Sequence, residues 1–336
     1  MPVRLAVFSL SAFCALFASC ASQPDAASRG GRWAIAIHGG AGTMNPNGSK
    51  ERLRRYEDAL SEVLTLGRQM LTDGASALDV CEAVVRRLED NPLFNAGKGA
   101  VFNEKGEHEL DASIMDGSTM HCGAVAGVRT VKHPVTLARK VMSNTRHVLL
   151  AGDGAEKFAD VAGVERVENK YFDTDRRRRS LQRLLKERER TGSLVPTDRR
   201  FDYGTVGCVV LDCAGRLAAA TSTGGMTAKK WGRVGDTPVI GAGNYADGTA
   251  AISCTGTGEE FIRHGIARSV TARMQHGGQT LAEAAGALIQ DVLKPGDGGL
   301  IAVDCDGNIA TPFNTTGMYR ATASSRGDFR VATFRE

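Results

Sequence analysis

Apolar and polar positions alternate between two periods along this chain. "RWAIAIHGGAG" is a short continuous apolar run closed by glycines, which predicts a buried strand ending in a turn. From Leu53 to Leu71, apolar residues recur at Tyr56, Ala59, Leu60, Val63, Leu64, Gly67, Met70 and Leu71, an amphipathic helical spacing. A second helix is predicted from about Ser76 to Leu88, with Ser76 and Asp79 as a capping pair. "LEDNPLFNAGKGAVFN" reads as a loop, "HELDASIMDG" and "HCGAVAGV" as strands, and a helix begins at about Pro134. Further on, Val206–Leu211 and Leu217–Thr221 form a hairpin across "DCAG", followed by strands at "PVIGAGNYA" and "TAAISCTGTG". Helices are predicted over Glu259–Met274 and Leu281–Val292, the second capped by Thr280 with Glu283, and "GLIAVDCDGNIATPFNT" reads as a last hairpin. Both halves supply strands and helices, which predicts one domain of layered α/β architecture with mixed sheets rather than a doubly wound one.

Residues 163–204 break this pattern. Between Arg176 and Arg200 there are ten Lys or Arg against three Asp or Glu; "RRRRSLQRLLKERER" can be helical but lacks a broad apolar face. A solvated, mobile linker is expected there. It stops at Gly204, and a core strand starts beside Thr205.

Composition adds bounds. The 336 residues are 42% hydrophobic and 24% charged, enough for a sizeable core, and a net charge of +4 without an aromatic-interleaved basic stripe argues against nucleic-acid binding. "MPVRLAVFSLSAFCALFASCASQPD" is too short and too flanked to span a membrane but fits a secretory signal, residues 1–20, with Cys20 placed like a lipidated bacterial lipoprotein cysteine. Cell-envelope localisation is expected, in the periplasm or on the outer membrane. Of the remaining cysteines, Cys81, Cys122, Cys208 and Cys254 read as small buried hydrophobes, whereas Cys213 and Cys305 sit in similar turns and could be bridged.

Most chemical signatures are missing. There is no C-x-x-C and no H-E-x-x-H, and the seven histidines are scattered, so no transition-metal site is expected. "HGGAG" lacks the Lys-Ser/Thr ending of a phosphate loop, and "TGTGEEF" has Phe261 where a dinucleotide loop needs its third glycine. That turn still joins a strand to a helix, so Thr255, Gly256 and Gly258 can stabilise a carboxylate or an oxyanion. No G-x-S-x-G anchors a serine triad. Thr205 has two readings. It is an ordinary strand-start threonine, or, if the chain breaks after Gly204, its own α-amine makes it both nucleophile and base.

"AIHGGAGT", "NPLFNAGKGAVFN", "HELDASIMDG", "GTVGCVVLDCAGRLAAATSTGG", "GRVGD", "GAGNYA", "SCTGTGEEFIR" and "GGLIAVDCDGNIATPFNTTGMYR" together resemble the plant-type asparaginases, or isoaspartyl peptidases, of the N-terminal nucleophile hydrolases. The likeness covers roughly residues 33–160 and 203–320. It implies an α+β fold, a four-layer αββα sandwich, cut into an α subunit (21–204) and a β subunit (205–336) that pair as a dimer of αβ units. It also implies Thr205 as nucleophile, Thr223 orienting its hydroxyl, Asn95 lining the site, and Thr255 with Gly256 as oxyanion hole. Arg233 and Asp236 would hold the substrate α-carboxylate and α-amine. The loop through Leu88, Glu89, Asn91, Phe94, Ala96 and Lys98 is similar to a sodium-binding loop that uses backbone carbonyls; Lys98 stands where such loops often carry an apolar residue. No organic cofactor is implied.

The substrates so implied are β-aspartyl dipeptides and L-asparagine, cleaved through an ester on Thr205. Two other readings remain at this stage. Glycosylasparaginases perform the same chemistry on sugar-linked asparagine but usually show "DTIG" where this chain has "GTVG". An uncut envelope binding protein would use the same pocket without cleavage.

Overall fold

The computed structural model describes residues 31–192 and 204–335. The signal segment with Cys20 and the stretch 193–203 lie outside the described residues. Twelve strands are described: β1 (Ala34–Gly42), β2 (Leu110–Asp116), β3 (Cys122–Val128), β4 (Leu149–Ala151), β5 (Val206–Leu211), β6 (Leu217–Thr223), β7 (Asn244–Ala246), β8 (Ala250–Gly256), β9 (Gly298–Asp304), β10 (Ile309–Ala310), β11 (Gly317–Ser324) and β12 (Phe329–Ala332). They form an eight-stranded sheet, β12-β11-β1-β5-β6-β2-β3-β4, and a four-stranded sheet, β10-β9-β8-β7. Pairing is antiparallel throughout except for β3 with β4.

The central strands are apolar on both sides because both sides are covered. In β5, Val206, Cys208 and Val210 join one core cluster, with α1 (Lys50–Thr72), α2 (Ala77–Glu89) and α3 (Pro134–Asn144). Val209 and Leu211 join another, with strands of the smaller sheet and with α7 (Ile266–Gly277) and α8 (Leu281–Ala287). Ile35 and Ile37 of β1 face the first cluster while Ala34 and Ala36 face the second. Alanines at the sheet-to-sheet face keep the two backbones close, and the larger side chains fill the helix side.

Ser76 caps α2 by accepting from the Asp79 N–H at 3.2 Å, and Thr280 with Glu283 makes a full capping box on α8. The helix expected over Glu259–Met274 is two: α6 (Gly258–His264) and α7 are separated by Gly265 at φ 55. The helix expected to Val292 keeps α-geometry only to Ala287 and ends in a π-turn, Leu288–Val292. Of "PVIGAGNYA" only Asn244–Ala246 pairs as a strand. The β9–β10 hairpin is not the last: β11 and β12 follow, and β11 crosses back to pair with β1 of the larger sheet.

In the basic linker expected over 163–204, the run that the sequence allows as a helix is one, and it is docked along one edge where full solvation is expected. Beyond α4 (Gly152–Val161), residues 175–191 form α5 (Asp175–Thr191), capped by Thr174 and closed by Gly192 at φ 63. Its Arg177, Leu181 and Leu184 are buried, the two leucines packing near Phe102 and Ala228. A stripe at i, i+4, i+7 suffices to dock one edge of a helix otherwise covered in charge. The cysteines of the two similar turns are not bridged to each other: Cys213 packs on the helix-side core and Cys305 on the other.

Candidate active site

Thr205 lies at the entry to β5, only 8% exposed. Its hydroxyl donates to the Thr223 hydroxyl at 3.1 Å, from the last residue of the neighbouring β6. Antiparallel register pairs Val206 with Ser222, which brings the two threonines together at one end of the sheet. The Gly225 N–H donates to the Thr223 hydroxyl oxygen at 3.0 Å, fixing it from behind.

Asn95 ties this corner together. Its N–H donates to the Gly204 carbonyl at 3.0 Å and its own carbonyl accepts from Gly224 N–H at 3.0 Å. Its side-chain amide donates to the Gly225 carbonyl at 2.8 Å, while Oδ1 accepts from Val101 N–H at 2.9 Å. A Cβ at Gly204 would sit 2.7 Å from the Asn95 Cβ, so only glycine fits before Thr205 in this arrangement.

The second side of the site is ionic. Arg233 gives Nε and Nη2 to the two carboxylate oxygens of Glu259, each at 2.9 Å, a bidentate pair. Asp236 is buried, and its Oδ2 has no hydrogen-bond partner among the described residues. Burial pushes the Asp236 carboxyl up to about 7, against the pull of the nearby Arg233 charge. Arg233 and Asp236 do converge, but around Gly258: a Cβ there would lie 2.8 Å from Asp236 Oδ1 and 2.9 Å from Arg233 Nη2. Glu259 as the partner of Arg233 has no counterpart in the sequence reading, although its position one residue into a helix after "TGTG" is a usable signal.

Thr205, Thr223, Arg233, Asp236 and Gly256 line one small cavity together with Gly204. Asn95 touches the lining at Gly204 and Gly258 touches it at Arg233 and Asp236, while Thr255 is the chain neighbour of Gly256. The Thr255 hydroxyl accepts from Ala41 N–H at 3.3 Å, which leaves its own proton available. Gly256, at φ 154, presses against the Asp297 carbonyl where any Cβ would overlap.

Sequence reasoning also missed His38. Register pairs it with Gly207, beside Thr205. Its Nδ1 donates to the Thr205 carbonyl at 3.0 Å. Nε2 therefore accepts from the Ser253 hydroxyl at 2.9 Å, and Ser253 accepts from Thr221 at 2.8 Å. Burial holds the His38 imidazole down at about 3, only partly offset by the Thr205 carbonyl, so it is neutral in use. The signal was present as a polar residue inside the apolar run "AIAIHGG".

The loop from Leu88 to Lys98 folds back on its own carbonyls. Gly97, at φ 48, leaves no room for a Cβ against the Glu89 carbonyl, and Gly99 none against that of Phe94. Asn91 accepts from Phe94 N–H at 3.2 Å, Leu88 from Asn91 N–H at 3.2 Å and Ala96 from Gly99 N–H at 3.2 Å. The Lys98 ammonium turns away, donating to the Tyr171 carbonyl and lying 4.7 Å over the Tyr171 ring. The ammonium therefore does not enter the loop, whose oxygens are those of the backbone.

This cleft lies at the strand ends of a mixed α+β fold of two facing sheets, and the family and relatives that the chain matches make it a hydrolase. A family profile described as Asparaginase matches residues 31–333, and the chain belongs to that family. It is 51% identical over 300 residues to the "Isoaspartyl peptidase" of Escherichia coli (strain K12), covering 87% of this chain and 92% of the relative. It is 44% identical over 323 residues to the "Probable isoaspartyl peptidase/L-asparaginase 2" of Arabidopsis thaliana, covering 90% and 99%. Against the "Plant-type L-asparaginase" of Pyrococcus furiosus the identity is 42% over 296 residues, covering 85% and 94%.

Proposed function

We propose that this chain is an autocatalytically processed threonine hydrolase that cleaves β-aspartyl (isoaspartyl) dipeptides and L-asparagine. The observation that carries the reading is the buried Asp236 carboxylate oxygen without a partner, next to an arginine already oriented by Glu259. A buried, unsatisfied carboxylate costs roughly 1–3 kcal/mol or more, and a substrate ammonium removes that cost. Arg233 then takes the α-carboxylate. With both α-groups held, the carbonyl presented to Thr205 is the side-chain one.

Maturation comes first. The cavity beside Thr205 has a volume of about 10 Å³ with Gly204 in place, roughly what a single water needs. No substrate enters until Gly204 leaves. Self-cleavage supplies that step: Thr205 Oγ adds to the Gly204 carbonyl carbon, the C–N bond breaks as the nitrogen takes the hydroxyl proton, and water hydrolyses the ester. The products are a Gly204 carboxylate and a free Thr205 α-amine. In turnover that amine accepts the Thr205 hydroxyl proton as Oγ attacks the β-carbonyl. The oxyanion is met by Gly256 N–H and the Thr255 hydroxyl. The leaving amine departs with the proton, an aspartyl ester remains, and water releases aspartate.

The surrounding assembly follows the same reading. Helices outside two facing sheets make four layers, αββα, and the αβ units pair as dimers. The carbonyls of Leu88, Glu89, Asn91, Phe94, Ala96 and Lys98 would hold a sodium ion, which would supply positive charge to a loop of backbone oxygens. Export with a lipid on Cys20 places the enzyme at the periplasmic face of the outer membrane, and Cys20→Ser is expected to move it to the soluble envelope fraction.

The test is hydrolysis of β-linked against α-linked Asp-Leu by the purified protein, with its chains weighed by mass spectrometry. Two chains, the smaller beginning Thr-Val-Gly-Cys, and cleavage of the β-isomer alone are expected. An uncut chain, or equal hydrolysis of both isomers, overturns the reading.

A further inference from the structure

Gly204 lines two cavities. One is the small space beside Thr205; the other is a cavity of about 250 Å³ walled by the loop after β1, the start of α1 and the start of α5. Among the described residues lining this second cavity are Lys50, Arg52, Arg176 and Arg177, and none is a carboxylate. Arg176 continues into two further hollows along α5, shared with Arg179 and, in one of them, with Arg55 and the carboxylate of Glu51.

Arg176 is fixed rather than waving in solvent. It donates from Nη1 to the Tyr56 hydroxyl at 2.8 Å and from Nη2 to the Leu93 carbonyl at 2.6 Å. Tyr56 is itself stacked on Tyr319, with ring centroids 4.1 Å apart. These acceptors are neutral, so they orient the guanidinium without cancelling its charge. Arg176 thus brings a positive charge, held in place by neutral groups, to the wall of this concave space.

We propose that this cavity binds the free α-carboxylate of the leaving residue, with Arg176 as its recognition group. The inference rests on the isoaspartyl peptidase reading and names the leaving-group chemistry of that same site. Geometry supplies the link: Gly204 is the wall common to both spaces, so its departure joins the aspartyl pocket to the basic cavity. A substrate held by Arg233 and Asp236 with its β-carbonyl at Thr205 then has its leaving residue directed toward Arg176. L-Asparagine has no leaving residue and gains nothing from the second cavity.

The experiment is steady-state kinetics of the mature wild type, Arg176→Gln and Arg176→Lys on β-Asp-Leu, β-Asp-Leu amide and L-asparagine. The wild type is expected to favour the free acid over the amide at least tenfold in kcat/KM. Arg176→Gln should abolish that preference through a KM rise of about tenfold or more on β-Asp-Leu. Its asparagine hydrolysis should stay within twofold, which also reports an intact fold. Arg176→Lys should keep part of the preference, and salt should weaken it in the wild type. Equal rates on acid and amide in the wild type, or an equal loss on all three substrates in Arg176→Gln, overturns the proposal. A rise on all three would mean that the new Gly204 carboxylate occupies the cavity, and overturns it too. If the wild type hydrolyses none of the three, the functional reading itself falls and takes this proposal with it.

Discussion

His38 Nδ1 lies 3.0 Å from the carbonyl oxygen of Thr205, and the imidazole is wholly buried between β1 and β8. Gly207 makes that contact possible, since a Cβ there would overlap both the ring and Ser253. The histidine thus fixes the peptide plane of Thr205. Because burial lowers its folded value to about 3 from 6.5, its contribution to stability is complete above pH 6.5 and is lost as pH falls toward 3. His38→Asn should flatten the fall in Tm with acid and slow turnover about tenfold, with KM unchanged because the residue touches no substrate. An unchanged acid profile in the variant would show that the histidine is not the titrating group.

Thr205 is expected to cut its own chain. Thr205→Ala should stay a single polypeptide on a denaturing gel, because the attacking oxygen is gone. Thr205→Ser should cut and retain some activity. Equal cutting in the alanine variant would point to an outside protease and remove self-cleavage from the account.

Asp236 should set the pH dependence. Its folded value of about 7 lies above the ordinary 3.8, so the ionised form that binds an ammonium gains as pH rises through 7. kcat/KM is therefore expected to climb across that point. Stability runs the other way: the fold prefers the protonated acid, so stability falls as pH rises from about 4 through 7. Asp236→Asn should lose substrate binding yet melt several degrees higher at pH 8. A variant that melts lower there would mean the carboxylate is satisfied in the folded protein.

Strand and helix identities were legible wherever one period dominated. β5 and β6 fall within two residues of their expected ends because their small apolar residues are covered on both faces. α5 was harder to place, since three docked positions in seventeen residues leave almost no periodic signal. β11 and β12 were invisible for another reason. "GMYRATASS" mixes polar and apolar residues, and its pairing with β1 is a contact across nearly the whole chain. The site shows the same division. Thr205, Thr223, Arg233 and Asp236 stood in short motifs and meet at one cavity. His38, Glu259 and Arg176 act through partners far away in sequence, Thr205, Arg233 and Tyr56, so only the fold reveals their work.

Arg233 gives the sharpest substitution. Its planar guanidinium meets Glu259 through two parallel hydrogen bonds of 2.9 Å, which leaves Nη1 turned to the loop at Gly235, near where a Cβ would lie 2.7 Å away. A surface ion pair of this kind is worth about 0–1 kcal/mol and confers no specificity. A partly buried clamp is different: lysine keeps the charge but cannot hold Glu259 and a carboxylate in one plane. Arg233→Lys is therefore expected to lose ten- to hundredfold in kcat/KM on β-Asp-Leu, about the strength of a charge-assisted contact. It should still cut itself, because Arg233 does not touch Gly204. Glu259→Gln should lose less, since the guanidinium keeps its charge and one acceptor. If Arg233→Lys turns over β-Asp-Leu as fast as the wild type, the pair with Glu259 is only a surface contact and the substrate carboxylate is held elsewhere.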